Sequence, residues 1–406
     1  MSVVGNQQRM LGEFLVRLRP HWRRDPSLPE RIEGLLRHDR RCGSRDRRLY
    51  RELIYTALRH LPWIEPLLDG APGQAVRTIA WLAAETPATA NFRAAATEGW
   101  PPRESAGVAE RSAILARLIG DPARESLLPP WFAQECPEAF ASPNYDALNT
   151  RAPLWLRLQT ADPAAVFDEF AARGWAWRQS ELLPAAIELK AEADVTKTDA
   201  YRRGLFEIQD LGSQLILESI GIESGGRWLD ACAGAGGKSL QLAGLLGPAA
   251  RVEAHDVRAK ALDELGRRAG RAGLAGRISR PGRLEGPYDG VLVDAPCSGT
   301  GTWRRSPHLK WVTTLSGVAA CARDQRTLLA EFAGLARPGG RLIYATCSLC
   351  RSENEAVIRD FLSAHPAFAP APFAQSLGGE PRGAGLVFWP AAHNGDGFFV
   401  ASLRRV

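Results

Sequence analysis

From Trp228 to His365 the chain alternates short runs of β-forming residues with segments of helical spacing, and this alternation constrains the fold more than any other feature. Trp228–Leu229, Val252–Ala254, Gly290–Val293 and Arg341–Ala345 read as strands. Residues 238–246, 259–269 and 323–336 repeat apolar positions every three or four residues and read as helices. Ser352 and Glu355 stand at the spacing of a capping box and are expected to open a last helix that runs to about His365. Strands that alternate with helices predict a parallel sheet covered on both faces. In such sheets ligands gather at the carboxyl ends of the strands, so the residues at those ends bear most directly on function.

Four strand ends stand out. After the first, Asp230-Ala231-Cys232-Ala233-Gly234-Ala235-Gly236-Gly237-Lys238 is a glycine-rich turn that opens a helix. Glycines let the backbone approach a ligand, and a helix N-terminus offers free N–H groups. About twenty residues on, Asp256 ends the second strand, where an acid can accept hydrogen bonds from ribose hydroxyls or simply cap the next helix. Together these point to an adenosine-containing cofactor. The turn departs from G-x-G-x-x-G, which disfavours NAD. After the next two strands come Asp294-Ala295-Pro296-Cys297-Ser298-Gly299-Thr300-Gly301 and, fifty positions after Cys297, Thr346-Cys347-Ser348. Two cysteines and an acid are therefore expected at one rim of one sheet.

The remainder of the chain is organised differently. The first 70 residues carry helical spacing at Met10–Leu18 and Leu49–Leu61, with Arg37, Arg40, Arg41, Arg45, Arg47, Arg48 and Arg51 between them. Such a cluster is a phosphate-binding patch or a solvated face. Helical pattern continues to about Ile119, and a linker punctuated by Pro129, Pro130, Pro137 and Pro143 comes after it. From Pro153 a small α/β unit is expected, with strands at Leu154–Leu158 and Ala185–Leu189 around a helix at Pro163–Gly174. The 406 residues suffice for two or three domains, and 45% hydrophobic residues suffice for their cores. Apolar runs fall far short of a membrane span, and the N-terminus lacks the pattern of a secretory signal. A soluble, cytoplasmic protein is expected. The formal charge of +6 permits a polyanionic partner without requiring one.

Seven cysteines without disulfide spacing fit a reducing compartment. Cys42, Cys136 and Cys321 read as small buried hydrophobes, and Cys232 as packing within the cofactor turn. Cys347 and Cys350 form a C-x-x-C pair, open to a redox or zinc reading, but no second pair accompanies them and no metal is expected. A base methylation gives the rim cysteines a different use. The C5 of cytosine is a poor nucleophile, and a thiolate adding at C6 turns C4–C5–C6 into an enamine that can accept a methyl group. An acid such as Asp294 can hydrogen-bond the pyrimidine edge, and a second cysteine can assist expulsion of the first.

The segment Leu292–Gly301 continuing to Arg304-Arg305-Ser306-Pro307 resembles the proline–cysteine motif of the RsmB/Sun/Nop-type RNA 5-methylcytosine methyltransferases. Tyr344-Ala345-Thr346-Cys347-Ser348 followed by Glu353-Asn354-Glu355 is similar to the family's catalytic-cysteine motif, and 230–238 to its cofactor loop. Residues 204–210 and 396–401 resemble the segments that open and close its catalytic domain. The resemblance implies Cys347 as nucleophile, Cys297 as the release cysteine, and S-adenosylmethionine held by Cys232, Ala233, Gly234, Ala235, Gly236, Gly237, Lys238, Asp256 and Asp294. It implies an α/β fold of three parts: a helical NusB-like RNA-binding domain over 1–135, a small α/β RNA-binding subdomain over 145–205, and a Rossmann-like methyltransferase domain over 206–406. In that setting Arg157, Arg304, Arg305 and Lys310 are candidate RNA contacts, and the N-terminal arginines gain a substrate. Two departures bear on the cofactor. Gly234–Ala235 stands where the family has alanine–proline, and no acid follows the third strand between Ile278 and Leu284. His308 also replaces an acid usual in its motif.

The sequence therefore predicts a monomeric cytosine-C5 methyltransferase acting on ribosomal RNA. Two alternatives remain open: a transfer RNA substrate, or an RNA-binding assembly factor with weakened catalysis.

Overall fold

The computed structural model describes residues 2–102 and 107–406. The chain forms two compact units, one of residues 1–151 with 303–314, the other of residues 152–302 with 315–406. Residues 103–106, within the expected helical run to Ile119, lie outside the described residues. No helix among the described residues is long and apolar enough to cross a membrane.

In the first unit all regular elements among the described residues are helical. The helix Val3–Leu18 buries Met10, Leu11, Phe14, Leu15 and Leu18, in the three-and-four spacing of the sequence. Ser44–Arg59 opens where the Asp46 carboxylate accepts the Gly43 N–H at 3.0 Å. Arg37, Arg40, Arg45 and Arg48 are exposed, while Arg41 pairs with Asp39 and Glu13 and Arg51 pairs with Glu33. An open groove of about 650 Å³ is lined by Arg17, His21, Arg31, His38 and Arg40 among others.

The segment 303–314 corrects two expectations. It belongs to the helical unit, which runs to 151, rather than to a catalytic domain of 206–406. Its basic side chains are also not surface contacts. Trp303 is fully buried, its ring 4.6 Å from Phe132. Lys310 is 1% exposed and donates to Arg59 O, Leu127 O and Asn149 Oδ1 at 2.9, 3.2 and 2.8 Å. Arg304 is buried too, its guanidinium turned toward the carbonyls of Thr150 and Arg151. Neither Lys310 nor Arg304 is available to a phosphate, and of the three candidates only Arg305 is exposed. The basic motif reads as surface because charge ordinarily seeks water; here backbone carbonyls replace it. His308 is buried in the same unit, where burial lowers its pKa.

The second unit contains two sheets. In the smaller, strands β1 (Leu154–Leu158), β2 (Trp177–Gln179), β3 (Ala186–Leu189) and β4 (Phe206–Ile208) pair antiparallel in the order β2-β3-β1-β4. The helix Ala164–Ala172 covers one face through Val166 and Phe170. Arg157, expected to reach RNA, is instead buried and donates to Gln209 Oε1 at 2.6 Å; its desolvation lowers its pKa to about 10.

The larger sheet holds β5 (Arg227–Asp230), β6 (Arg251–Ala254), β7 (Ile278–Ser279), β8 (Tyr288–Asp294), β9 (Ala336–Thr346), β10 (Phe368–Pro370), β11 (Glu380–Arg382), β12 (Gly385–Phe388) and β13 (Phe398–Arg405). The order is β11-β12-β13-β9-β8-β5-β6-β7, with β10 beside the end of β13. Strands β5 to β9 pair parallel, and β13 inserts antiparallel next to β9. Side chains alternate between two cores: Val291, Val293 and Tyr344 pack with the helices Leu315–Ala333 and Glu355–Ala364, whereas Leu292, Ile343 and Ala345 pack with Leu211–Ile220, Gly237–Leu246 and Ala259–Arg271. Gly290 is required where β8 crosses the ring of Trp228, since a Cβ there would lie 2.3 Å from it. The chain reverses its direction of winding between β5 and β8, the place where open α/β sheets bind ligands.

Lys310→Met removes three satisfied donors and leaves their acceptors buried. Thermal unfolding should show a loss of about 3 kcal/mol. Unchanged stability together with weakened RNA binding would restore Lys310 as a surface contact.

Candidate active site

The site is built at the carboxyl ends of β5, β6, β8 and β9. After β5 the turn 231–236 is shaped by Gly234 and Gly236, with φ of +53° and +85°. A Cβ at Gly236 would also lie 2.7 Å from Leu265, so this position takes glycine for both backbone and packing reasons. Gly236 caps the ten-residue helix Gly237–Leu246 at the carboxyl-end rim, and no side chain caps its first turn. Arg268 steadies the turn by donating to Ala235 O at 2.9 Å, and Glu207 in β4 pairs with Arg268 at 2.9 Å. The small sheet thus braces the cofactor turn.

Asp256, beyond β6, accepts the Gly234 N–H at 2.8 Å and is held by both Nε and Nη2 of Arg258 at 2.9 Å. The Arg258 guanidinium keeps its pKa down at about 2. Sequence reasoning places Asp256 correctly beside the turn but misses Arg258, because a flexible side chain two residues on gives no periodic signal. Cys232 is pushed well above the usual thiol range by burial and by three nearby carboxylates, in keeping with a packing role.

Asp230 lies at the floor of the turn, fully buried, accepting from Ser239 Oγ at 2.6 Å. Desolvation, reinforced by the charge of Asp294, raises its pKa to about 7. Lys238 bridges turn and rim: its Nζ lies 2.9 Å from Asp294 Oδ2 and 5.2 Å from the Phe398 ring centroid. This ion pair ties the cofactor turn to the end of β8.

The two rim cysteines meet. Cys297 Sγ and Cys347 Sγ are 3.3 Å apart, both half-buried. Cys350, the partner suggested by the C-x-x-C spacing, is fully buried with its sulfur 3.7 Å from Thr300 Oγ1. The hydrogen bond with Cys347, then desolvation, raises the Cys297 thiol well above its usual range. Cys347 is fixed through its backbone: its carbonyl accepts the Gly301 N–H at 2.9 Å, and a Cβ on Gly301 would strike Gly397 O at 2.0 Å. On either side, Thr346 Oγ1 donates to Asn354 Oδ1 at 2.6 Å and Asn354 Nδ2 donates to Ser348 O at 2.9 Å.

Beneath the sulfurs lies a residue to which sequence reasoning assigns no role. Glu353 is fully buried and accepts from the Ser298 N–H at 2.8 Å, Gln325 Nε2 at 3.0 Å, Ser348 Oγ at 2.5 Å and Ser298 Oγ. The expected capping box draws attention away from it. The helix begins at Glu355 with Asn354 as its first flank and makes no side-chain cap bond, so Ser352 does not open it. Arg351–Glu353 form a separate 3₁₀ turn that delivers Glu353 inward.

Residues 218–404 match the family model of the 16S rRNA methyltransferases RsmB/F. A ribosomal RNA small subunit methyltransferase B of Cronobacter sakazakii is 32% identical over 311 residues, covering 73% of this chain and 70% of that protein. The chain belongs to the RsmB/F family. A Mycobacterium tuberculosis protein with a methyltransferase name, Rv1407, is 39% identical over 249 residues, 58% of this chain; the match spans 53%, about half, of that relative. Over the whole fold, the crystal structure of PH0851 superposes with a TM-score of 0.71 at 22% identity, covering 94% of this chain and 95% of that one. The larger sheet is thus a Rossmann-like methyltransferase sheet, and its cofactor is S-adenosylmethionine. The residues present fit that group: a glycine turn open to backbone approach, a ten-residue helix N-terminus and a charged acid at the end of β6.

Asp230 sets a pH dependence. Its pKa is near 7 when folded and near 4 when unfolded, so the unfolded chain releases this proton first and stability falls as pH rises between about 4 and 7. Asp230→Asn removes that loss. Its melting temperature should gain on the wild type as pH rises across this window; a constant difference contradicts the assignment.

Proposed function

We propose that this protein is an S-adenosylmethionine-dependent RNA cytosine-C5 methyltransferase acting on small-subunit ribosomal RNA, with Cys347 as nucleophile. The observation that carries the reading is the 3.3 Å approach of Cys297 and Cys347 at the rim that also holds the cofactor turn. A packing role would not require both sulfurs at the rim that holds the cofactor turn, and the family to which the chain belongs is one of methyltransferases.

The chemistry derives from the residues. Either sulfur can donate across the 3.3 Å pair, and the reaction uses the arrangement in which Cys297, its thiol raised by the contact with Cys347 and by desolvation, donates to Cys347. This arrangement favours the thiolate at Cys347, the form that attacks. The target cytosine is flipped out of its helix to reach the rim, as chemistry on a base atom requires. Cys347 adds to C6, and Asp294, positioned by Lys238, accepts hydrogen bonds from the pyrimidine edge. Residues 232–238 and Asp256 would hold S-adenosylmethionine, which would supply the electrophilic methyl that C5 accepts. A solvent base then takes the C5 proton, the C5=C6 bond reforms, and Cys347 leaves as a thiolate stabilised by hydrogen bonding from Cys297. Within the first unit, the exposed Arg305 and the exposed arginines around the open groove are the candidate contacts for RNA phosphates, in line with the NusB-like resemblance of that region.

One observation favours a second reading, an assembly factor with weakened catalysis. No acid stands between Ile278 and Leu284, and Asp256 is already engaged by Arg258. Calorimetry with S-adenosylhomocysteine decides between them: saturable binding supports the enzyme, and none supports the assembly factor.

The activity test uses labelled cofactor and unmodified small-subunit RNA. Cys347→Ala should lose turnover by at least about a thousandfold. Cys297→Ala should accumulate a protein–RNA adduct stable to denaturation. Full activity in Cys347→Ala would sink the nucleophile assignment.

A further inference from the structure

Glu353 takes no part in the catalytic steps, yet four hydrogen bonds converge on its carboxylate. It is completely buried, and burying a carboxylate is costly unless donors replace its water. Its donors are all neutral, and they come from three elements. Ser298, next to Cys297, supplies its backbone N–H and its hydroxyl; Ser348, next to Cys347, supplies a hydroxyl; Gln325, on the helix Leu315–Ala333, supplies an amide and with the same nitrogen reaches Pro296 O at 2.9 Å. The Glu353 backbone carbonyl is itself held by the Tyr344 hydroxyl at 2.6 Å. The residues before and after Cys297 are therefore both fastened, directly or through Gln325, to one carboxylate.

The two cysteines depend on it unequally. Cys347 ends β9 and has separate restraints in Gly301, Thr346 and Asn354. Cys297 sits in a loop between β8 and a 3₁₀ turn at Thr300–Thr302; Ala295 and Gly301 tie the ends of this loop to Ala345 O and Cys347 O, and between those ties the Glu353 cluster holds Pro296 and Ser298 on either side of Cys297. Loosening that anchor moves Cys297 away from Cys347 while the nucleophile stays in place.

We propose that Glu353 is a positioning residue for the release step: its buried carboxylate holds the Cys297 loop against the end of β9. This rests on the covalent reading of the site. In release, solvent water takes the C5 proton, the C5–H electron pair forms the C5=C6 bond, and the C6–S bond breaks with its pair on Cys347 Sγ. Cys297 stabilises that sulfur by donating its S–H, and it does so only at hydrogen-bond range. Glu353 touches neither base nor cofactor and acts through Cys297.

The test measures adduct formation and turnover separately, with small-subunit RNA transcript and S-adenosylmethionine, in the wild type, Cys297→Ala, Glu353→Gln and Ser298→Ala. The Gln side chain keeps the volume but turns one acceptor into a donor. Glu353→Gln should form adduct at close to the wild-type rate with unchanged KM for RNA, while kcat falls about tenfold and adduct accumulates under denaturing conditions. Ser298→Ala removes one tie from the loop side and should show the same partition with a loss of about threefold, which keeps the test decisive if Glu353→Gln fails to fold. Turnover lost together with adduct formation, or unchanged turnover without accumulation, overturns the proposal. Adduct in Cys297→Ala alone contradicts only the role of Glu353; adduct in neither variant contradicts the covalent reading itself.

Discussion

The register between two neighbouring parallel strands sets the whole arrangement. Asp294 in β8 lies opposite Ala345 in β9, so a chain continuing three residues past the first and two past the second brings two sulfurs to the same level. A one-residue slip would turn every side chain of one strand to the opposite face, and the alternation of Val291, Leu292 and Val293 between two cores forbids it. Core packing thus fixes the separation of the reactive groups before any polar contact is made. The buried polar cluster around Glu353 then narrows the freedom that packing leaves.

The electrostatics of the rim divide into a side of ion pairs and a side where one buried carboxylate meets only neutral donors. Toward the cofactor turn stand Asp256, held ionised by Arg258, and Asp294, paired with Lys238. Toward the cysteines one buried carboxylate, Glu353, is met by two hydroxyls, a side-chain amide and a backbone N–H. Asp230, at the junction, is desolvated enough to carry its proton near neutrality, which spares the turn a third negative charge. In the proposed mechanism the sulfonium is received beside the ion pairs and the pyrimidine beside the cysteines.

Much of this is legible in the sequence because it depends on local pattern. The strands β5, β6, β8 and the end of β9, the turn at 230–238 and the paired cysteines are all readable from periodicity and from the residues that stand at strand ends. The features that escape depend on distant partners. Lys310, Arg304 and Arg157 are basic residues in ordinary polar surroundings in the sequence, and only the carbonyls and amides supplied from up to 251 positions away make their burial possible. Glu353 is hidden for a different reason: Ser352 and Glu355 offer a local capping pattern that competes with the tertiary one, and burial of Glu353 among four donors prevails. The antiparallel entry of β13 beside β9 likewise leaves no mark in local periodicity.

The proposed mechanism stands on Cys347 as the residue that bonds to the base. Small-subunit RNA carrying 5-fluorocytidine cannot lose its C5 substituent as a proton, so it halts the reaction after methyl transfer with the protein still attached. Digestion of that complex and mass spectrometry locate the bond directly. The expected product is a nucleotide adduct on the peptide containing Cys347, dependent on S-adenosylmethionine, with Cys297 unmodified. An adduct on Cys297, or none at all while the natural RNA is methylated, would contradict the mechanism.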